Sequence, residues 1–278
     1  MKKILTLALA AGLSFSLFAT DIFKYAPLKG DVKKYTEVDF SIASRFGTLY
    51  RTPSTKIIHT FDSNKKETKS SELSPKDTII NTITSKYDTA GNLVEQLCTS
   101  SDNETVWKNT YTYKNGLKQD TSEFDRKGNL KARTIFTYEG GLLSDESIYD
   151  SDGALLWKTI YKYNEAKKLA SVNDYNPDGS LSEQSTYAYT ESGAIDTISK
   201  LDAFAGKQTQ LVFRYGANGV LNEITTYNSA KQVIKRTLLK YDEKGNVNKV
   251  SEYDVAEKFG TTVNELAAMS EYTFEYSK

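Results

Sequence analysis

Carboxylates are the most numerous groups in this sequence that could take part in chemistry. Glu95, Asp145, Glu146, Glu183 and Glu223 all lie in segments that alternate as β-strands do. Two carboxylates flanking a cleft would suit glycoside hydrolysis. None of these five has the sequence context that acid catalysis requires. We therefore expect them on a solvated strand face, and the sequence predicts no catalytic residue and no enzymatic activity.

Metal ligands and nucleophiles are scarce. Asp150 and Asp152 precede Gly153, but a calcium loop needs a longer set of oxygen ligands, so turn chemistry is favoured here. His59 is the only histidine and Cys98 the only cysteine, which excludes a Cys/His zinc site and an intrachain disulfide. Without a G-x-S-x-G motif, a serine nucleophile has no support. We predict no metal and no cofactor, with Cys98 packed as a small hydrophobe.

Four tyrosines recur at one spacing. Tyr163, Tyr189, Tyr215 and Tyr241 are each 26 residues apart. At this spacing they should form a row across alternate strands. Exposed aromatic side chains could stack on a sugar or a peptide, whereas a cross-strand aromatic ladder would only hold the sheet together. The tyrosine row is the candidate partner-binding surface if the sheet is flat, and becomes core if the sheet curls.

The tyrosines belong to a longer repeat. Three related phrases, "FDRKGNLKARTIFTY", "YDSDGALLWKTIYKY" and "YNPDGSLSEQSTYAY", begin at Phe124, Tyr149 and Tyr175, a step of 25 or 26 residues. Glycine recurs about every 13 residues behind polar turn formers such as "DRKG" and "NPDG". Glycine accepts a positive φ at low cost, and Asp or Asn bonds to the nearby backbone. Each repeat therefore predicts two strands joined by a hairpin turn.

The residues between the turns alternate in side-chain type. "LLWKTIYKY" places Leu155, Trp157, Thr159 and the tyrosines on one face and lysines on the other. We predict an all-β, antiparallel meander of hairpin repeats, forming an extended or partly curled sheet. Turns should be centred near 90, 127, 152, 178, 192, 218 and 244. Thr262 and Glu265 fit a capping box, which predicts a short helix near the C-terminus.

The chain divides into four segments. Residues 1–19 have a basic start and a short apolar run, which is typical of a secretory signal peptide. Residues 20–56 lack the glycine rhythm and should form an N-terminal capping segment. Residues 57–253 hold the hairpin repeats, and residues 254–278 should close the array, since terminal units of repeat proteins are often atypical.

The phrases "YDTAGNL", "FDRKGNL", "YDSDGAL" and "YDEKGNV" resemble the YD repeats of RHS-type bacterial surface and secreted proteins. The resemblance covers roughly residues 57–253. It implies an exported bacterial repeat protein. RHS proteins are usually far larger and wrap a long sheet into a shell around a toxin, whereas this chain has few repeats and no recognisable toxin domain.

Charge and hydropathy narrow the function further. Lys plus Arg and Asp plus Glu both number 36, so a nucleic-acid partner is not expected. No later segment is apolar for the roughly 18 residues of a transmembrane helix. The main prediction is an exported, non-catalytic binding or structural module at the bacterial envelope, in the periplasm, at the cell surface or secreted, with an unknown protein or glycan partner.

Two alternatives remain open beside this prediction. One is an outer-membrane β-barrel, which needs a continuously apolar lipid-facing side; we expect Thr134, Glu183 and Ser185 to interrupt it. The other is a glycan-acting hydrolase, for which the sequence nominates no carboxylate pair.

Overall fold

The computed structural model describes residues 19–46, 48–258 and 260–277. The predicted signal peptide, residues 1–19, lies outside the described residues except for Ala19, which begins the single described helix. No described helix is long and apolar enough to cross a membrane.

The described chain is a β-meander, as predicted, with two strands for each sequence repeat. The predicted strand phrases are confirmed: "LLWKTIYKY", "LSEQSTYAY" and "TQLVFRY" lie in β10, β12 and β14. The elements are α1 Ala19–Tyr25, β1 Val32–Arg45, β2 Thr48–Phe61, β3 Glu67–Leu73, β4 Ile79–Tyr87, β5 Leu93–Ser100, β6 Thr105–Lys114, β7 Leu117–Asp125, β8 Leu130–Glu139, β9 Leu142–Asp150, β10 Leu155–Tyr163, β11 Leu169–Tyr175, β12 Leu181–Tyr189, β13 Ile195–Asp202, β14 Lys207–Tyr215, β15 Leu221–Asn228, β16 Val233–Tyr241, β17 Val247–Lys258 and β18 Thr261–Tyr276.

The sheet closes into a barrel of 18 strands. Each strand pairs antiparallel with its sequence neighbours, and β1 pairs with both β2 and β18. The expectation of an extended or partly curled sheet is therefore wrong. Strands twist in one sense, so the twist of many strands bends a sheet round, and closure then pairs the two edges that an open sheet would leave free.

The prediction of a short helix near the C-terminus is also wrong. Thr262 and Glu265 lie in β18, a strand of 16 residues. This strand lies between β17 and β1, which together supply backbone partners along its length. Tertiary pairing here overrides a local capping pattern, which is a weak signal by itself.

The predicted turns follow the glycine rhythm. In the β7–β8 turn, Gly128 has a φ of 82° and its N–H bonds to the Asp125 carbonyl. The Asp125 carboxylate accepts hydrogen bonds from the backbone N–H groups of Lys127 and Asn129 at 2.8 and 2.9 Å. This is the Asx geometry that the sequence phrases predict, repeated in the β9–β10 and β16–β17 turns.

The wall has distinct inner and outer faces. In β8, Ala132, Thr134 and Phe136 are buried, whereas Arg133 and Ile135 between them are exposed. Cross-strand pairing carries the inner face round to Ile198 and Phe213, which belong to the main hydrophobic cluster. Period-two alternation in sequence thus becomes inside and outside in the barrel.

The helix α1 packs against the inner face near one end of the barrel. Ile22 is buried, Phe23 contacts the rings of Tyr35 and Tyr272 at 5.4 and 5.2 Å, and Tyr25 contacts Phe213 at 5.0 Å. We call this end the helix rim; it carries the turns that follow the even-numbered strands. The far rim carries the turns that follow the odd-numbered strands.

The segment after α1 is fixed to the helix rim by Asn246. The Asn246 side chain accepts a hydrogen bond from the Lys29 N–H at 2.6 Å and donates to the Lys29 carbonyl at 3.0 Å. It also donates to the Tyr276 hydroxyl at 2.8 Å. One buried amide therefore joins the N-terminal segment, the β16–β17 turn and the end of β18.

Candidate functional site

The structure places the tyrosine row at the helix rim. Tyr163, Tyr189, Tyr215 and Tyr241 end β10, β12, β14 and β16, which are alternate strands as predicted. All four are half-buried and lie on the inner face. A backbone register shift accompanies each of them. Whether the row binds a partner stays a prediction.

Three hydroxyls of this row have a structural partner. Tyr189, Tyr215 and Tyr241 donate to the carbonyls of Leu169, Ile195 and Leu221, at 2.7, 2.8 and 2.5 Å. Each acceptor is the first residue of the preceding strand. Burial raises the pKa of all four tyrosines, that of Tyr241 to about 12. The hydroxyls therefore stay protonated and remain hydrogen-bond donors at neutral pH.

A second polar group lies on the inner face beneath α1. His59 in β2 stacks on Tyr35 with ring centroids 4.2 Å apart. Its Nδ1 lies 2.7 Å from Glu67 Oε1, and its Nε2 lies 3.7 Å from Glu37 Oε2. Glu37 is 2% exposed. These residues, Tyr35, Glu37, His59 and Glu67, form the histidine cluster.

The protonation state of the histidine cluster follows from its carboxylates. Burial alone would lower the pKa of His59, but Glu37 and Glu67 raise it to about 9. Burial raises the pKa of the Glu37 carboxyl, and the neighbouring imidazole of His59, 3.7 Å away, opposes that rise. His59 is therefore a cation at neutral pH. A protonated imidazole cannot accept a proton, so the one histidine base in the sequence is not available as a general base.

Sequence reasoning missed this cluster. Glu37 and His59 are distant in the chain, and only the antiparallel pairing of β1 with β2 brings them together. The alternation of β1 does place Tyr35, Glu37 and Asp39 on one face, which was the only signal available. Asp39 lies on that face too and accepts a buried hydrogen bond from Ser270 at 2.5 Å.

The five strand carboxylates that the sequence offers as candidate acids lie on both the outer and the inner face of the barrel. Glu95, Asp145 and Glu223 lie on the outer face in ion pairs with Lys86, Lys158 and Arg236, respectively. Glu146 and Glu183 lie on the inner face, where burial raises the pKa of Glu146.

The remaining candidates for chemistry are the thiol of Cys98 and any cluster of metal ligands. Cys98 is 1% exposed, and burial raises the pKa of its thiol to about 11, so it packs as a hydrophobe and is not a reactive thiolate. Within the described ranges, no group of three or more His, Cys, Asp or Glu side chains could hold a metal ion.

The outer face of the wall is rich in cations. Arg133, Lys158 and Arg236 lie near the middle of β8, β10 and β16, with side chains 51, 39 and 38% exposed. Outward-facing lysine or arginine residues also occur on other strands, some near mid-strand and some near the strand ends: Lys34, Lys56, Lys69, Lys86, Lys108, Arg214 and Lys249. Thr134, Glu183 and Ser185, expected to interrupt a lipid-facing side, lie instead on the inner face.

Comparisons with known proteins give no family and only distant structural neighbours. No family model and no curated protein matches the chain. A porin-like protein from Bacteroides uniformis has a TM-score of 0.49 and 12% identity, over 88% of this chain and 98% of that one. A porin-like protein from Bacteroides vulgatus has a TM-score of 0.41 and 11% identity, over 90 and 99%. A TcdB2-TccC3-Cdc42 complex has a TM-score of 0.30 and 11% identity, over 78% of this chain and 15% of that one.

These findings bear on two of the sequence predictions. The YD-repeat resemblance is not confirmed. In architecture, the closed barrel fits the outer-membrane-barrel alternative better than the open sheet of the main prediction, because the sheet has no free edge.

Proposed function

We propose that the protein is an exported β-barrel of the bacterial envelope whose inner face, not its outer wall, makes its functional contacts. The observation that carries this proposal is a partial segregation of side chains. Most aromatic residues of the strands face inward, as Phe213 does, whereas most lysines and arginines face outward, as Arg133 and Arg236 do. Lys118, beside Phe136, and Lys235, paired with Glu252, are inward-facing exceptions. The barrel then acts as a non-catalytic binding or structural module.

The outer wall favours water over lipid. Arg133, Lys158 and Arg236 lie near mid-strand, the level that would face the bilayer centre in a spanning barrel. A Lys or Arg at that level costs about 2–4 kcal/mol. Because these cations recur around the wall, their combined cost would be large, whereas in water they cost nothing and keep the barrel soluble.

The tyrosine row is the proposed contact surface. Its four half-buried rings lie on the inner face near the helix rim, and burial of aromatic surface is a strong source of binding energy. Tyr163 is the member best placed to bind, since no hydrogen bond from its hydroxyl is seen among the described residues. An extended peptide or a glycan could stack along this row.

The second candidate is a barrel that spans the outer membrane. The observation that favours it is the closed meander with an even number of strands, 18, which is the architecture of bacterial outer-membrane proteins. The two candidates agree on export and on a functional inner face. They differ in what surrounds the outer wall.

Fractionation of a Gram-negative host expressing the full chain separates them. The water-facing barrel should appear in the periplasmic extract, or leave the membrane fraction in alkaline carbonate without detergent. It should also migrate at one position on gels with and without boiling. Recovery only in detergent, as a band that shifts on heating, would overturn the water-facing proposal and support the spanning barrel.

A further inference from the structure

The helix α1 is a short segment that packs on the inner face through large apolar side chains. Ile22 is 4% exposed and belongs to the main hydrophobic cluster, and Phe23 and Tyr25 pack against that cluster. Lys24, between the two aromatic residues, is exposed. A helix of seven residues has little stability by itself in water, so its order depends on the wall. The inner face therefore already holds a peptide with the pattern aliphatic, aromatic, polar, aromatic.

The surface that receives α1 is concave. Phe213 lies in β14 and Tyr272 in β18, and three strands separate β14 from β18 in the sheet. Four strand steps of about 4.8 Å therefore lie between these two strands along the wall. Phe23 contacts Tyr272 and Tyr25 contacts Phe213, although the two helix residues are only two positions apart. The wall thus curves round the helix and contacts it from more than one side.

The N-terminal segment is anchored to the rim at residues that follow α1. Hydrogen bonds join Lys29 to the Asn246 side chain, and the Ser277 N–H donates to the Asp31 carbonyl at 2.8 Å. Residues 26–28 separate these anchors from α1. Release of α1 from the wall therefore leaves the anchors in place, and it leaves β1 paired with β2 and β18.

We propose that this concave part of the inner face is a peptide-binding site, which α1 occupies until a segment of a partner protein with the same side-chain pattern replaces it. The inference rests on the proposed function and deepens it, because it names the class of ligand that the inner face takes. Tyr215 and Tyr241 of the tyrosine row pack against the same hydrophobic cluster as α1. A segment that replaces α1 therefore lies beside the row, and α1 is an autoinhibitory contact.

The chemistry of this surface favours a peptide over a glycan. The hydroxyls of Tyr215 and Tyr241 donate to the carbonyls of Ile195 and Leu221, so their protons are already engaged. The wall that α1 covers is apolar and aromatic, and such a surface stabilises a bound segment chiefly by removing apolar area from water. A glycan would instead need hydrogen-bonding groups for its hydroxyls.

A fluorescein-labelled peptide of residues 20–28, which stops before the anchors, tests the site by fluorescence anisotropy. In the wild-type chain the tethered α1 competes at an effective concentration of about millimolar, so the peptide should bind weakly. Phe23→Ala weakens this competitor and leaves Tyr35 and Tyr272 of the site in place. The variant chain should therefore bind the peptide about tenfold tighter or more. The matched control is the same peptide with Phe23→Ala, which should bind the variant chain about tenfold more weakly than the unchanged peptide.

Thermal unfolding gives a second readout, which also serves if Phe23→Ala lowers stability. Excess peptide should raise the unfolding midpoint of the Phe23→Ala chain, because it binds the folded state, and should leave the wild-type midpoint nearly unchanged. Equal affinity of the two chains for the peptide, no binding to either, or no rise in the variant's midpoint would overturn the proposal and make α1 a fixed part of the core.

Other occupants give different results, and each of these overturns the proposal. Concentration-dependent dimers of the wild type that Phe23→Ala disrupts would assign the site to the α1 of a second copy. Binding of maltohexaose, but not of the peptide, to the Phe23→Ala chain would assign it to a glycan. None of these results affects fractionation, so a water-facing periplasmic barrel that binds no peptide would keep its proposed location and lose this site.

Discussion

At the scale of single residues, His59 makes stability depend on pH. Its pKa rises from 6.5 to about 9 on folding, so its stabilisation is complete below pH 6.5 and is lost as the pH rises through 9. Such a shift corresponds to about 3 kcal/mol. We expect the free energy of unfolding of the wild type to fall by about this amount between pH 6 and 9, measured by urea denaturation; the range stops below the pH at which unfolded tyrosines ionise.

The His59→Gln variant is the comparison for this prediction. Its free energy of unfolding should be lower at pH 6 and should change much less with pH. Because this variant leaves Glu37 buried without a cation, the double variant His59→Gln, Glu37→Gln serves where the single one does not fold. If the free energy of unfolding changes equally with pH in the wild type and in either variant, then His59 is not the group that makes stability depend on pH.

The hydroxyl of Tyr189 offers a second test at this scale. Tyr189→Phe keeps the ring but removes the hydrogen bond to the Leu169 carbonyl. We expect a loss of about 0.5–1.5 kcal/mol in the free energy of unfolding, because the carbonyl loses its partner. Tyr163→Phe is the matched control and should change stability by less than about 0.5 kcal/mol. Equal effects of the two substitutions in a chemical denaturation series would show that the hydrogen bond from Tyr189 to the Leu169 carbonyl does not stabilise the fold.

At the scale of elements, Asn246 connects three parts of the helix rim. Asn246→Ala should cost about 1–3 kcal/mol, because it leaves the backbone N–H and carbonyl of Lys29 without their partners. Limited proteolysis should then cut the segment between α1 and β1 faster than in the wild type.

Asn129 is the control for this element. It occupies the same slot of the β7–β8 turn, where its amide bonds only to Asp125 and is exposed. Asn129→Ala should change stability by less than about 0.5 kcal/mol and leave α1 protected. If both variants behave alike, Asn246 is an ordinary turn residue and its hydrogen bonds to Lys29 do not hold the N-terminal segment at the rim.

At the scale of the whole molecule, closure should make unfolding cooperative across the ring. An open repeat array can unravel from its ends, whereas a closed ring has none. Tyr272 lies in β18 at the seam with β1 and contacts Phe23, and it is 4% exposed. Tyr272→Ala should cost about 3–5 kcal/mol, by analogy with the loss of a core Phe.

The readout is the agreement of two probes. Trp107 and Trp157 lie in β6 and β10, far from the seam along the sheet. In Tyr272→Ala, tryptophan fluorescence and far-UV circular dichroism should shift together to a lower midpoint. A fluorescence midpoint that stays at the wild-type value would show that the distant strands unfold independently, and would contradict a single cooperative barrel.

Much of the strand order was readable from the sequence alone. The positive φ at Gly128 and the bonds of Asp125 involve five consecutive residues, so the phrase "DRKGN" predicts them directly. The alternation of β8 likewise predicts two faces, and the 26-residue step predicts that the tyrosines share one phase. The turn and the alternation depend on residues close together in the chain, and the 26-residue step is a regular period, so all three can be read from the sequence.

Only the tertiary structure decided which face is inside and what meets across the seam. Asp39 bonds to Ser270 across 231 residues, and no local pattern announces that contact. Closure depends on the summed twist of 18 strands, and it turned the expected C-terminal helix into β18. Asn129 and Asn246 occupy identical turn slots, yet only Asn246 lies where the N-terminal segment crosses the rim. These contacts form between residues that are far apart in the sequence. Their stabilising energy therefore exists only once the strands have paired, and no local pattern can predict it.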